Sequence, residues 1–415
     1  MATQSGKDIV YKFYNCRILK NHKIYWDDLW VRDGTILDPQ KCFYGEVINP
    51  DVKVDCGERL IAAGYIETQI NGAYGVDFSD SHAADLHDVE RGIMKVAKGL
   101  LSHGVTSFCP TLVTSPPAFY QRVVPHIKKR EGNSDGAGIL GIHLEGPFIS
   151  KEKKGAHPEQ FIVSDLTNGS SSQPSHALEE VYGNEFYSNT AIITMAPELP
   201  GALDVIRQLT NMKDIRVSIG HSVGTIKDGE KAVLAGANYI THLFNAMLPF
   251  HHRDPGLVGL LTSWKLPKDT EIYYGIIADG IHTHPATMRI AHRTNPNGII
   301  LVSDSMCAAG LDTGNYSIGQ LSVEVKENKA VLSGTNTLAG SIAFLDQCVR
   351  KFYKDTECSL VEAIEAATLH PARLLKIQDR KGTLDFGSDA DFIILDDELN
   401  IMSTYIAGEC VYSGG

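Results

Sequence analysis

The stretch His242-Leu-Phe-Asn-Ala-Met-Leu-Pro-Phe-His-His-Arg253 follows Gly220-His221 and the earlier run Gly141-Ile-His-Leu-Glu145-Gly-Pro147 at separations that suit successive strands of a parallel barrel. Each of these runs is an apolar strand that ends in a candidate metal ligand. Glu145, His221 and His242 supply one carboxylate and two imidazoles, the donor set of a catalytic zinc-type site that keeps a coordination position open. A fourth apolar run, Gly298-Ile-Ile-Leu-Val-Ser303, ends in Asp304, an acid placed where a barrel enzyme would hold its proton-transfer group.

Outward from these runs, apolar segments alternate with helix-like ones, the pattern of βα units on a parallel sheet. Eight strand candidates lie near 60–67, 106–110, 139–145, 192–196, 217–221, 239–242, 274–278 and 299–304. Between the first two, Val89, Ile93, Val96, Ala97 and Leu100 recur at helical spacing. The fold expected is therefore α/β, a (β/α)8 TIM-like barrel. The termini read differently. Residues 29–37 suggest a hairpin around Asp33-Gly34, and Thr404–Tyr412 suggests another turn between strands. Each end holds too few strands to bury a face alone, so the expectation is one small discontinuous β-sandwich domain from 1–62 and 380–415, with the catalytic barrel spanning 63–379.

The composition is that expected of a soluble globular protein: 43% of the 415 residues are apolar and 21% charged, and no apolar run approaches the ~18 residues of a membrane span. The net charge of -12 disfavours nonspecific attraction to nucleic acid. The first ten residues lack a basic-then-apolar secretory pattern, so a cytoplasmic protein is expected. Cysteines at 16, 42, 56, 109, 307, 348, 358 and 410 form no Cys-x-x-Cys pair, which argues against a disulfide framework or a cysteine zinc ribbon. In such a compartment the acceptor patterns Asn168-Gly-Ser170 and Asn315-Tyr-Ser317 read as chance matches.

Taken with Ala62-Ala-Gly-Tyr-Ile-Glu-Thr-Gln-Ile-Asn-Gly72, Pro110-Thr-Leu-Val-Thr114, His143-Leu-Glu-Gly-Pro-Phe148, Lys154-Gly-Ala-His157 and Gly382-Thr-Leu-Asp-Phe-Gly387, these segments resemble the amidohydrolase superfamily, and within it the deacetylases of 6-phosphorylated N-acetylamino sugars. The resemblance covers nearly the whole chain. It implies removal of acetate from N-acetyl-D-glucosamine 6-phosphate to give D-glucosamine 6-phosphate. It further implies one divalent metal per subunit on Glu145, His221 and His242, zinc first, with iron, cobalt or manganese as other ions such a set accepts. Asp304 would be the acid/base and His282 the carbonyl-polarising histidine. Sugar and phosphate contacts would fall at Ala156, Asn245, Ala246, Arg253, His282, Leu338 and Ala339, and a homodimer is implied because in the family this arginine can reach the neighbouring subunit's pocket. Many amidohydrolases carry His-x-His on the first strand for a second metal. Here that place reads Glu67-Thr-Gln69, which implies a mononuclear site, and Glu67 departs from the aspartate expected there.

Taken singly, either histidine reads as a hydrogen-bonded structural residue, Asp304 as a helix N-cap and Arg253 as the partner of a surface carboxylate. Their joint placement argues for ligation and catalysis, whereas His284 is read as structural. Two other functions stay open at this stage: an amidohydrolase acting on another amide or a nucleobase, and a noncatalytic scaffold without its metal.

Overall fold

The computed structural model describes residues 9–40, 49–80, 86–167, 176–212, 214–326 and 329–414. Eight parallel strands form the barrel: Tyr65–Ile70, Val105–Val113, Ile142–Glu145, Thr190–Met195, Arg216–Ile219, Tyr239–Ile240, Tyr273–Ile277 and Ile299–Val302. Each pairs with its predecessor in that order. The eighth meets the first through Asp304 N to Gln69 O, 2.9 Å, and Asn71 N to Ser305 O, 2.8 Å. The strands are buried on both faces, which is why they read as solid apolar runs rather than alternating ones. Helices cover the outside. The first, Leu86–Leu100, buries Ile93, Val96, Ala97 and Leu100, four of the five positions picked out by spacing.

One strand expectation needs correction. The run expected at 60–67 belongs to two sheets: Leu60–Ala63 pairs with the terminal strands, and the barrel strand begins only at Tyr65. The apolar run is continuous across the switch, so periodicity does not reveal it. The junction is Gly64, where an added Cβ would sit 2.3 Å from the Thr106 side chain. The correction moves the catalytic end of the first strand two residues along, from Glu67-Thr-Gln69 to Gln69-Ile-Asn71.

The terminal strands pair in one eight-stranded sheet in the order 409–413, 401–406, 392–395, 60–63, 10–20, 23–32, 35–36, with 52–55 also on 10–20. Phe392 faces Ala63 and Leu395 faces Leu60, so the two ends of the chain are neighbours in the middle of the sheet. Alternation along the strands divides their side chains between two cores. Ile61, Ala63, Phe392 and Ile394 join Phe13, Leu29 and Val31, while Leu60, Ala62, Ile393 and Leu395 pack into the barrel's own core. Phe13 meets Phe392 edge-on at 5.0 Å. Asp33 and Gly34 both adopt positive φ between 23–32 and 35–36, as the expected hairpin requires, and Ala407-Gly408 repeats this between 401–406 and 409–413.

An antiparallel sheet of Gly314–Ile318, Leu321–Lys326 and Lys329–Leu332, which the strand reading did not anticipate, follows the eighth barrel strand. Its apolar face packs on Met306, Cys307, Ala308 and Ala339, beside the mouth of the barrel. The described cysteines are all free thiols; Cys42 and the Asn168-Gly-Ser170 pattern lie outside the described residues. Among the described residues no helix is long and apolar enough to cross a membrane.

Candidate active site

The site lies where four barrel strands end. Glu145 closes the third strand, His221 and His242 stand two residues beyond the fifth and sixth, and Asp304 two beyond the eighth. His221, His242 and Asp304 all take positive φ, 48°, 28° and 47°. Such backbone is strained for residues other than glycine, by roughly 1–3 kcal/mol each, and persists only where the surroundings enforce it. Here the turn off each strand brings its side chain to one shared cavity.

Glu145 Oε1 lies 3.1 Å from His221 Nε2 and 3.0 Å from His242 Nε2, and the two imidazole nitrogens are 3.0 Å apart. His221 Nδ1 donates to the Lys153 carbonyl at 2.8 Å, so in the neutral ring Nε2 presents a lone pair to the triangle. Three lone-pair atoms converging at this distance with at most one hydrogen among them is an arrangement a divalent cation satisfies. His242 Nδ1 is buried and has no protein partner. A ring nitrogen of His157, which the residue-by-residue reading did not single out, joins ligating atoms of Glu145 and His221 in a group spanning no more than 4.8 Å. Burial opposes ionisation of Glu145, yet the His221 and His242 rings beside its Oε1 hold it well below the usual carboxylate range.

Asp304 is buried, with two side-chain amides donating to one of its oxygens. Asn71 Nδ2 donates to its Oδ1 at 2.8 Å, and Gln69 Nε2 reaches both that oxygen, 3.3 Å, and Glu145 Oε1, 3.1 Å. Burial first, and the negative charge of Glu145 second, push Asp304 up to about 7, against the pull of His242, His282 and Asn71. A carboxyl poised near neutrality suits a group that must both take and return a proton.

Two further imidazoles have defined tautomers. The Thr114 backbone N–H donates to His157 Nδ1 at 3.3 Å, and Thr114 Oγ1 lies 2.7 Å from the same atom, so the ring hydrogen sits on Nε2. Burial, reinforced by His221, lowers His157 to about 3, which keeps the ring neutral. His282 Nδ1 donates to Asp279 Oδ2 at 2.7 Å, while Asp279 Oδ1 accepts the backbone N–H groups of Ile281 and His282, both at 2.8 Å. Asp279 thus fixes ring and loop together. Its three-residue separation from His282 was the available signal, one too common in turns to be read alone.

A cavity of about 210 Å³ joins these groups; Glu145, His157, His221, His242, His282 and Asp304 face it together with Asn71, Ala156, Asn245, Ala246, Leu338 and Gly340. Gly340 brings the loop after the small sheet to within 3.0 Å of the Asp304 carbonyl, measured from the position an added Cβ would take, and Ser341 N donates to that carbonyl at 2.8 Å. Two expected contacts are placed otherwise. Ala339 is buried in the small sheet's core behind the wall, and Arg253 is exposed outside its own chain's cavity, donating to His252 Nε2 at 3.2 Å.

The chain belongs to the amidohydrolase family, whose model matches residues 60–411. Within it the chain groups with the N-acetylglucosamine-6-phosphate deacetylases. The protein of that name from Homo sapiens is 54% identical over 403 residues, 97% of this chain and 96% of its own length, and that from Danio rerio 53% identical over 401 residues with the same coverage. A mutant N-acetyl-D-glucosamine-6-phosphate deacetylase from Mycobacterium smegmatis, solved in complex with N-acetyl-D-glucosamine-6-phosphate, superposes with a TM-score of 0.81 at 27% identity, covering 98% of this chain and 100% of that one.

Proposed function

We propose that this enzyme hydrolyses the acetamide of N-acetyl-D-glucosamine 6-phosphate to acetate and D-glucosamine 6-phosphate. The observation that carries the reading is the Glu145–His221–His242 triangle lining one cavity with Asp304, in a chain 53–54% identical to N-acetylglucosamine-6-phosphate deacetylases. An intact triangle and a tuned acid also weigh against a scaffold that has lost its metal.

Glu145, His221 and His242 would hold the divalent ion, zinc first, and when bound it supplies Lewis acidity, which makes water more acidic and a carbonyl more electrophilic. Asp304 accepts a proton from the attacking water as the new C–O bond forms. The carbonyl π electrons move to oxygen, where His157 Nε2–H is the donor the tautomer provides. When the C–N bond breaks, Asp304 returns the proton to the departing amine. The carbonyl-polarising part expected of His282 thus passes to His157; His282, steadied by Asp279, orients the substrate in the same cavity. Asn245, Ala246, Ala156 and Leu338 shape the sugar's place.

The reading extends to assembly and architecture. Arg253 lies outside its own cavity, which supports a homodimer in which it serves the neighbouring subunit's phosphate. The terminal sheet, built from both ends of the chain with a core of its own around Phe13 and Phe392, supports a small discontinuous β-domain of 1–62 and 380–415 packed on a barrel of 63–379, and a cytoplasmic location suits the free thiols. The test is acetate release from N-acetyl-D-glucosamine 6-phosphate alongside metal quantification. Acetate formation with about one metal per chain is expected, and metal-replete enzyme that releases none would overturn the assignment.

A further inference from the structure

The seam between the first and eighth barrel strands is not a continuous ladder. At its lower end Ile66 N and Leu301 N donate to Ala367 O and Ala366 O, both at 2.9 Å, so the turn at 366–367 is wedged between the strands. At its upper end direct bonds resume, from Asp304 N to Gln69 O and from Asn71 N to Ser305 O. Between these levels Gln69 N and Ser303 N have no carbonyl to meet. Glu67 fills the gap: its Oε1 accepts Gln69 N at 2.9 Å and its Oε2 accepts Ser303 N at 3.0 Å. The side chain is 1% exposed.

Both amides belong to the catalytic neighbourhood. Gln69 is the residue whose side chain bridges Glu145 and Asp304, and Ser303 immediately precedes Asp304, whose backbone is held at positive φ. A one-sided loss in the seam would therefore displace the acid relative to the triangle. We infer that Glu67 is a positioning residue: its carboxyl replaces two missing backbone acceptors in the barrel seam and so fixes Gln69 and Asp304 in register with Glu145. The inference rests on the deacetylase reading for its kinetic consequence, but its structural part stands on the seam alone.

The chemistry sets a demanding requirement. A carboxyl oxygen keeps lone pairs in either charge state, whereas the nitrogen of a side-chain amide only donates. Glu67→Gln, nearly isosteric, must set its amide nitrogen against one of the two backbone N–H groups. Glu67→Asp keeps both acceptors on a shorter stem.

The experiment compares holoenzymes of both variants by steady-state kinetics, metal content and amide hydrogen exchange resolved at Gln69 and Ser303. Glu67→Gln is expected to lose about tenfold or more in kcat, as an unsatisfied buried donor implies, with unchanged metal content, a smaller change in KM and faster exchange at one of the two amides. Glu67→Asp should recover most of the kcat and the slow exchange. Wild-type kcat and exchange in Glu67→Gln would overturn the inference, as would Glu67→Asp being as impaired as Glu67→Gln. Should Glu67→Gln fail to accumulate as folded protein, Glu67→Asp decides alone: slow exchange at both amides supports the seam role and fast exchange refutes it. Wild-type enzyme that released no acetate would instead sink the proposed reaction and leave the exchange result standing.

Discussion

Replacing Asp304 by asparagine separates its chemical role from its place in the fold. The variant keeps size and shape, and its amide oxygen can still accept from Asn71 Nδ2 and Gln69 Nε2, so the existing contacts at 2.8 and 3.3 Å are preserved. The amide nitrogen then occupies the place of Oδ2 and cannot take a proton. Loss of a positioned general base costs about 10²–10⁴ in rate, which corresponds to roughly 2.7–5.4 kcal/mol at 1.36 kcal/mol per decade. The expected result is a kcat reduced by at least ~10², normal metal content and little change in thermal stability. The pH profile provides a second readout. Asp304 is raised above its ordinary 3.8 to about 7, so it is protonated and unavailable below that value and competent above it. A cation held by Glu145, His221 and His242 would draw the titration downward. The acid limb of kcat should therefore fall between about 4 and 7 in the wild type, and it should be missing from the residual activity of Asp304→Asn. A variant with near-normal kcat would reduce Asp304 to a capping residue.

His242→Ala removes one corner of the triangle and should abolish stoichiometric metal, measured by elemental analysis, together with activity; full metal retention would require a different ligand set. Arg253→Ala should lower kcat/KM for the phosphorylated sugar by about ten- to a hundredfold, the worth of a charge-assisted hydrogen bond, with much less effect on unphosphorylated N-acetylglucosamine. Mixed dimers of Arg253→Ala and Asp304→Asn subunits should regain activity if the arginine acts across the interface; equal loss for both sugars would reopen the substrate class. Asp279→Asn offers His282 Nδ1 a weaker acceptor and should raise KM for the phosphorylated sugar severalfold while metal content holds, and an unchanged KM would detach Asp279 from substrate orientation.

Barrel strands ending in Glu145, His221, His242 and Asp304 are legible in the sequence because apolar runs buried on both faces stand out and each ends in a residue of unlike chemistry. What stays hidden has three physical causes. The change of sheet at Gly64 leaves no trace in hydropathy, since Leu60–Ala63 and Tyr65–Ile66 are both fully buried, and this misplaced the first strand's functional end by two residues. Gln69 was consequently paired with Glu67 rather than with Asn71, and Asn71 escaped notice. His157 and Asp279 act through hydrogen bonds to Thr114 and His282, and partner choice between residues so placed follows from loop geometry rather than from residue type. The small sheet at 314–332 has a half-exposed alternating pattern, weaker than the solid runs beside it.

The positive-φ turns at His221, His242 and Asp304 connect these causes. A residue that simply continued its strand would alternate between the barrel interior and the helices outside, and neighbouring strands would present their side chains at different heights. Leaving the strand in a left-handed turn gives each of the three a second choice of direction, and all three line the same cavity. That arrangement needs external restraint, because none of them is glycine. The restraints are visible: Ser150 N holds the His221 carbonyl at 2.8 Å, Asn245 N holds that of His242 at 2.9 Å, and Ser341 N holds that of Asp304 at 2.8 Å. Each donor comes from a loop that also leads to the cavity wall. The loops that line the cavity therefore also hold the backbone of His221, His242 and Asp304 in its strained form, so substitutions at Ser341 or in the 245–246 turn should alter kcat as well as KM.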